Sequence, residues 1–177
     1  LALGSKRILA ESYWSGGMGD GGGCHPRDNI ALSWLSRELD LSHDWFDNIM
    51  KQREKQTDWL ANLIEETSFK YKGYYDDYPI KILGKSFKPE TNIVTGSPSI
   101  LLKNILEERG HQVEMWDPHV DDSENESQQE PMIYFIGTKH PDFTTYSYNQ
   151  GSIIIDPWRY IPSIDNCEVI HIGDSLN

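Results

Sequence analysis

A cysteine at the end of a glycine run is the first place in this chain where chemistry can be sought. Residues 16–26 read GGMGDGGGCHP, and Arg27 and Asp28 follow. Glycines at this density free the backbone and let a ligand approach it closely, at an entropic cost. A thiol attacks as its thiolate, which needs nearby positive potential at neutral pH. A helix start, Arg27 and His25 each lie within reach of Cys24 in sequence. Asp28, four residues on, is placed to hold a proton or orient a water. Without such chemistry the same residues read as an inert cysteine in a glycine turn. A metal reading of Cys24, His25 and Asp28 is weaker, because C-H-x-x-D matches no standard zinc spacing and no fourth ligand is evident, so no metal centre is expected. Residues 17–22 also fit G-x-G-x-x-G. No strand pattern precedes them and no acidic residue follows in a βαβ frame, so the fit reads as coincidence.

The elements that must position this loop follow from periodicity. A helix is predicted from near Asp28, which would cap it after Pro26. Ile30, Leu32, Trp34, Leu35 and Leu39 form its apolar side. A break at residues 40–42 leads to a longer helix over about 43–66, with Ser42 as cap and Asp44 in the first turn, where negative charge is favoured. Phe46, Ile49, Met50, Leu60, Leu63 and Ile64 make its stripe. Arg53 and Gln56 interrupt that stripe, as a dimer contact, a buried cap or a substrate contact. Two amphipathic helices without a full bundle need a further surface to cover them. After a tyrosine-rich connector (Tyr71 to Tyr78, a packed linker), the pattern changes to short apolar runs at 80–83, 113–116, 132–136, 153–155 and 169–172. These read as buried strands. Between the first two, Ser97 caps a helix that starts at Pro98, buries Leu101, Leu102, Ile105 and Leu106, and ends at Gly110. The fold class expected is α/β: a helical segment, residues 1–70, followed over 71–177 by a Rossmann-like, doubly wound parallel sheet of about five strands. No internal repeat is evident.

Charge and cysteine count narrow the partners. The 177 residues carry a formal net charge of -12, which repels phosphate backbones, so nucleic acid is not expected as a partner. A few local cations and backbone amides can still hold one diphosphate. The acidic stretch 121–130 reads as a solvated loop. No apolar run reaches the ~18 residues of a membrane span. Two distant cysteines, Cys24 and Cys167, suit a reducing, cytoplasmic setting, with Cys167 as a small core residue. His119 reads as a strand-end surface residue. No signal pattern opens the chain, and the sequence, which does not begin with Met, reads as a piece of something longer.

The spacing G-x-G-G-x-C-x-P-x-D, carried by Gly19, Gly21, Gly22, Cys24, Pro26 and Asp28, resembles the active-site loop of the UDP-glucose/GDP-mannose dehydrogenase family. Residues 82–118, ILGKSFKPETNIVTGSPSILLKNILEERGHQVEMWDP, are similar to the opening of that family's UDP-binding domain. The order and spacing of the two motifs, with paired helices between, suit the family over about residues 13–172. The resemblance implies an NAD-dependent nucleotide-sugar 6-dehydrogenase acting on a UDP- or GDP-sugar, with the helical segment building a homodimer. It implies Cys24 as the nucleophile that carries a thiohemiacetal and then a thioester, and Asp28 as the carboxylate assisting proton transfer and water attack. Lys88 of Phe87-Lys88-Pro89 maps onto a lysine that contacts the nucleotide sugar. Gly19, Gly21 and Gly22 map onto a backbone cradle, with Tyr13 as a flanking contact and Arg159 as a substrate contact. The sequence departs from the family at Thr95, where Arg is common, at Asn92 and Ile93, where acidic residues are common, and at His25, which replaces an apolar residue. Arg159 is displaced by one residue from its counterpart. The NAD-binding domain and the linking helix with its catalytic lysine that open such enzymes are not in this sequence, so the alternative is a non-catalytic nucleotide-sugar-binding module.

Overall fold

The computed structural model describes residues 16–71, 78–123 and 130–173. Tyr13, most of the tyrosine connector and the centre of the acidic stretch lie outside them. Two helices, α1 (Cys24–Glu38) and α2 (Trp45–Tyr71), precede an α/β unit made of β1 (Ile80–Leu83), α3 (Pro98–Glu108), β2 (Val113–Trp116), β3 (Ile133–Ile136), β4 (Ile153–Asp156) and β5 (Glu168–His171). The five strands pair in parallel in the order β2-β1-β3-β4-β5. Every residue of β1, β3 and β4 is buried, which is why they read as unbroken apolar runs rather than alternating ones.

The two faces of the sheet are covered differently. Ile80, Ile82, Ile133, Phe135, Ile153 and Ile155 point to one face, where Leu60, Ala61 and Ile64 of α2 and Leu102 and Leu106 of α3 close the core. Leu83, Tyr134, Ile136 and Ile154 point to the other. The strand order is that of a doubly wound sheet, but on this second face a 3-10 turn at Pro141–Thr144 and irregular chain form the cover among the described residues. Rings replace a helix there. Phe143 and Tyr148 are buried, and Trp116, Tyr134, Tyr146 and Tyr148 meet at centroid distances of 4.9–5.8 Å, edge-to-face for the tyrosines, a favoured geometry. Lys81 of β1 is only 1% exposed on this face, with Nζ 6.0 Å from the centre of the Tyr146 ring.

Three boundaries differ from expectation. α1 begins at Cys24, so Asp28 lies inside the helix and does not cap it. Pro26 is tolerated because first-turn N–H groups have no intrahelical partner to lose. α2 is capped by Asp44, whose Oδ1 accepts from Asp47 N at 2.9 Å, and not by Ser42; it also runs on to Tyr71. The amide of Asp47 and the hydroxyl of Ser33, 2.6 Å from Oδ2, hold the Asp44 carboxyl below its usual range. α1 is also turned about from its apolar pattern. It buries Asn29, Ser33 and Ser36, while Ile30 and Trp34 are 59% and 60% exposed and Leu39, just past its end, is 61% exposed. Ser97 accepts from Ser99 N at 3.2 Å and caps α3, and Gly110 ends it in a left-handed turn, as the sequence implies.

Candidate active site

The glycine run touches in turn the segments that follow β4 and β1. A Cβ on Gly16 would lie 2.6 Å from Pro157 O, and one on Gly17 would lie 2.4 Å from the Trp158 ring. Gly19 and Gly21 abut Gln56 and Pro98. Gly22 and Gly96 meet back to back. Gly22 N donates to Gly96 O at 3.2 Å, both residues have positive φ (+87° and +70°), and a Cβ on Gly96 would lie 2.4 Å from Gly22 O. That conformation and that approach require glycine. Arg53 of α2 reaches over and donates through Nη2 to Gly96 O at 2.9 Å and through Nε to Asp20 O at 3.4 Å. Its interruption of the apolar stripe is therefore an internal tie between helix and loop.

This stitching delivers Cys24 as the first residue of α1, directly after Gly23. Amides of a helix's first turn have no intrahelical partner and carry partial positive charge. Cys24 is exposed. Asp28, one turn on, shares its face of the helix. Arg27 donates from Nε to Asp28 Oδ1 at 2.9 Å; that bond and the charge of Asp28, with a smaller part from Cys24, raise its pKa. His25 points outward, 70% exposed, with Nδ1 3.6 Å from Asp20 Oδ2.

The chain leaves β1 toward β2 on one side and β3 toward β4 on the other, so a crevice forms outside the ends of β1 and β3, where such sheets bind ligands. A buried polar network floors it. Asp117, just past β2, is 0% exposed; its Oδ2 accepts from Lys85 N (2.7 Å), Ser86 N (2.9 Å) and Ser86 Oγ (3.0 Å) and lies 3.2 Å from His140 Nε2, while its Oδ1 accepts from His119 N (2.8 Å). Burial alone pushes the Asp117 carboxyl up, but His140 and the amides of Ser86, His119 and Lys85 outweigh it and hold the group well below the usual carboxylate range. Thr138 Oγ1 donates to Ser86 O at 2.6 Å. This network carries the Phe87-Lys88-Pro89 loop. Phe87 packs on Gly22, and Lys88 is exposed with Nζ 5.4 Å from the Phe87 ring centre.

At the other end of the glycine run an open cleft of about 490 Å³ is lined by Gly16, Gly17, Gly19, Gln56 and Trp158. Arg159 stands beside it with φ +58°, its Cδ 3.8 Å from where a Gly16 Cβ would be and its Nη1 donating to Ile172 O at 3.1 Å. Asp156 sets that turn by accepting from the amides of Trp158, Arg159, Tyr160 and Ile161 at 2.7–3.0 Å. Thus Gly21, Gly22 and Lys88 come together through Phe87, while Arg159 and Gly19 border the Trp158 side. The sequence reading did not single out Trp158, Phe87, Ser86, Asp117 or His140. Cys167 is half-buried against the second core, and burial pushes its thiol up.

The residues present do not fit NAD at the 17–22 glycine pattern. Trp158, Gln56 and Phe87 occupy the sides of Gly17, Gly19 and Gly22 that a dinucleotide would approach.

A family model described as "UDP-glucose/GDP-mannose dehydrogenase family, UDP binding domain" matches residues 81–162. GDP-mannose 6-dehydrogenase of Pseudomonas putida is 30% identical over 112 residues, covering 63% of this chain and 24% of that protein. UDP-glucose 6-dehydrogenase of Bacillus subtilis is 26% identical over 116 residues, covering 66% and 24%. The chain thus spans about a quarter of the length of these curated relatives. Among solved structures, a UDP-glucose dehydrogenase from the hyperthermophilic archaeon Pyrobaculum islandicum superposes with a TM-score of 0.75 at 23% identity, over 96% of this chain and 41% of that one, which supports the fold.

Proposed function

We propose, for a chain that belongs to the UDP-glucose/GDP-mannose dehydrogenase family by its UDP-binding domain at residues 81–162, that it is the C-terminal part of an NAD-dependent nucleotide-sugar 6-dehydrogenase. The observation that carries this reading is Cys24 at the head of α1, open to solvent, with Asp28 one turn on and a glycine run binding both to the 84–98 segment. The nucleotide of a UDP- or GDP-sugar lies in the crevice beyond β1 and β3, with Lys88 toward its phosphates or sugar and Gly19, Gly21 and Gly22 offering backbone. Tyr13 and Arg159 flank the sugar. Sγ of Cys24 adds to the C6 aldehyde carbon to give a thiohemiacetal, and after oxidation the sulfur holds the acyl group as a thioester. Water attacks that carbon, Asp28 takes its proton, and thiolate leaves, releasing the uronic acid. NAD, for which the described residues show no site, would accept one hydride as the C6 alcohol becomes the aldehyde, and a second NAD would accept another as the thiohemiacetal becomes the thioester.

The exposed apolar residues of α1, early α2 and the connection between them, Ile30, Trp34, Leu41, Trp45 and Ile49, are covered by a second copy in a homodimer, and residues 1–70 act as the catalytic and dimerising part. No helix among the described residues is long and apolar enough to cross a membrane; with both cysteines free, we place the protein in the cytoplasm. Two measurements test the reading. Iodoacetamide should label Cys24 at neutral pH, and a bound nucleotide sugar should protect it from labelling. Calorimetry with UDP-glucose, UDP-N-acetyl sugars and GDP-mannose should show binding to one of them, weakened in Lys88→Ala. Binding without protection of Cys24 would leave a non-catalytic nucleotide-sugar module; no binding to any of the sugars would remove the nucleotide-sugar assignment.

A further inference from the structure

We infer that His119, His140 and Asp142 form a site for a divalent transition-metal ion of the zinc type. One ligand atom from each of the three lies within 4.8 Å of the other two. Two imidazoles and a carboxylate are a donor set for zinc, nickel or cobalt, whereas magnesium prefers oxygen ligands alone. Part of the site is built in advance. His140 is 0% exposed, and its ring is fixed from below because Nε2 lies 3.2 Å from Asp117 Oδ2 and 3.0 Å from Ser86 Oγ. A buried carboxylate behind a histidine is the arrangement that orients metal-binding imidazoles and raises their basicity. The other nitrogen, Nδ1, accepts a hydrogen bond from Glu90 N at 3.3 Å; it therefore carries the ring's lone pair, and an ion would bind there by displacing that amide. His119 stacks on His140 at 4.6 Å with 26° between rings, and its Nε2 stands 4.0 Å from Asp142 Oδ2. The His119 side chain is 37% exposed and can turn its nitrogen toward the gap. Three protein ligands leave positions open to water.

The site is separate from Cys24 and does not depend on the nucleotide-sugar reading. Because Cys24, His25 and Asp20 also bind metals in principle, the test uses Cys24→Ser as its parent. The chelator-stripped chain is titrated with Zn²⁺ by calorimetry and with Co²⁺ by visible absorption. One ion per chain should bind to Cys24→Ser, and Mg²⁺ should not displace it. Adding His119→Ala should weaken binding at least ~10-fold, and Asp142→Asn should weaken it as well. Both changes are at exposed positions, and an unchanged circular dichroism melt in the absence of metal separates ligand loss from unfolding. Bound Co²⁺ should give d–d bands without thiolate charge transfer. Loss of binding in Cys24→Ser itself, or equal affinity after His119→Ala, would overturn the proposal.

Discussion

Replacing Asp117 should be among the costliest single changes in the molecule, and the two obvious substitutions should rank in a definite order. The carboxylate is 0% exposed and gathers the amides of Lys85 and Ser86, the Ser86 hydroxyl and His140 Nε2 on one oxygen and the His119 amide on the other. Alanine would leave these donors facing a small cavity. Each unpaired buried donor costs about 1–3 kcal/mol, and the costs overlap. Removing the charged member of a buried pair costs about 3–5 kcal/mol, and that is the expected loss for Asp117→Ala. Asparagine keeps the shape, and its carbonyl can serve the crowded side, but its NH₂ then opposes the His119 amide. The expected cost of Asp117→Asn is about 2 kcal/mol. At this chain length each kcal/mol lowers Tm by roughly 2–4 °C. Urea unfolding followed by far-ultraviolet circular dichroism, with unchanged m-value, reads both variants. Because the folded carboxyl titrates below the ordinary range of about 3.9, its contribution is full above that value. It is lost as pH falls through the depressed folded value, so the wild-type advantage should be flat at neutral pH and shrink in acid. Asp117→Ala within ~1 kcal/mol of wild type at pH 7, or Asn costing more than Ala, would refute the network as described.

Two further outcomes follow from close approach and from exposure. Gly96→Ala must place a Cβ 2.4 Å from Gly22 O at φ +70°, a conformation that alone costs about 1–2 kcal/mol. It should lower Tm and open the 16–23 run to limited proteolysis, and an unaltered cleavage pattern would contradict the packing. Trp34→Ser with Trp45→Ser, at positions 60% and 69% exposed, should weaken self-association in sedimentation velocity while leaving the dilute-solution melt in place; self-association equal to wild type would rule out this face as the dimer contact.

The strands and α3 were legible because each is specified locally. Four-residue runs such as Ile133–Ile136 are buried on both faces, so composition alone marks them, and Ser97, Pro98 and Gly110 punctuate α3. The start of α1 was not legible, since Pro26 suggests a helix beginning later, yet a proline costs little in the first turn. Nor was its orientation. Periodicity finds an apolar side but does not say that Ser33 and Asp44 form the inner contact while Trp34 faces out. The four-residue spacing of Cys24 and Asp28 was legible, although Asp28 reads in the sequence as the helix cap with Cys24 in the loop before it, whereas both lie in α1. Their tie to the sheet was not legible, because Arg53 and Gly96 are 43 residues apart.

The hidden part of the site follows a rule that strand register supplies. In a parallel sheet all strands end at one edge, so the residues just past each end converge however far apart they lie in sequence. Here those positions hold Ser86 after β1, Asp117 after β2, Thr138 and His140 after β3, and the last residue of β4, Asp156, whose carboxylate organises the next turn. All are polar, and each follows an apolar run that needs no polar stop to end it. A buried carboxylate at that edge is costly unless backbone amides surround it, and the turns after β1 and β4 supply those amides. The loop of the candidate site is therefore held in place by carboxylates that do not themselves need to touch a ligand. A change at Asp117 should disturb Lys88 and Phe87 before it disturbs the sheet, because the bonds it breaks lie in the turn and not in the strand ladder.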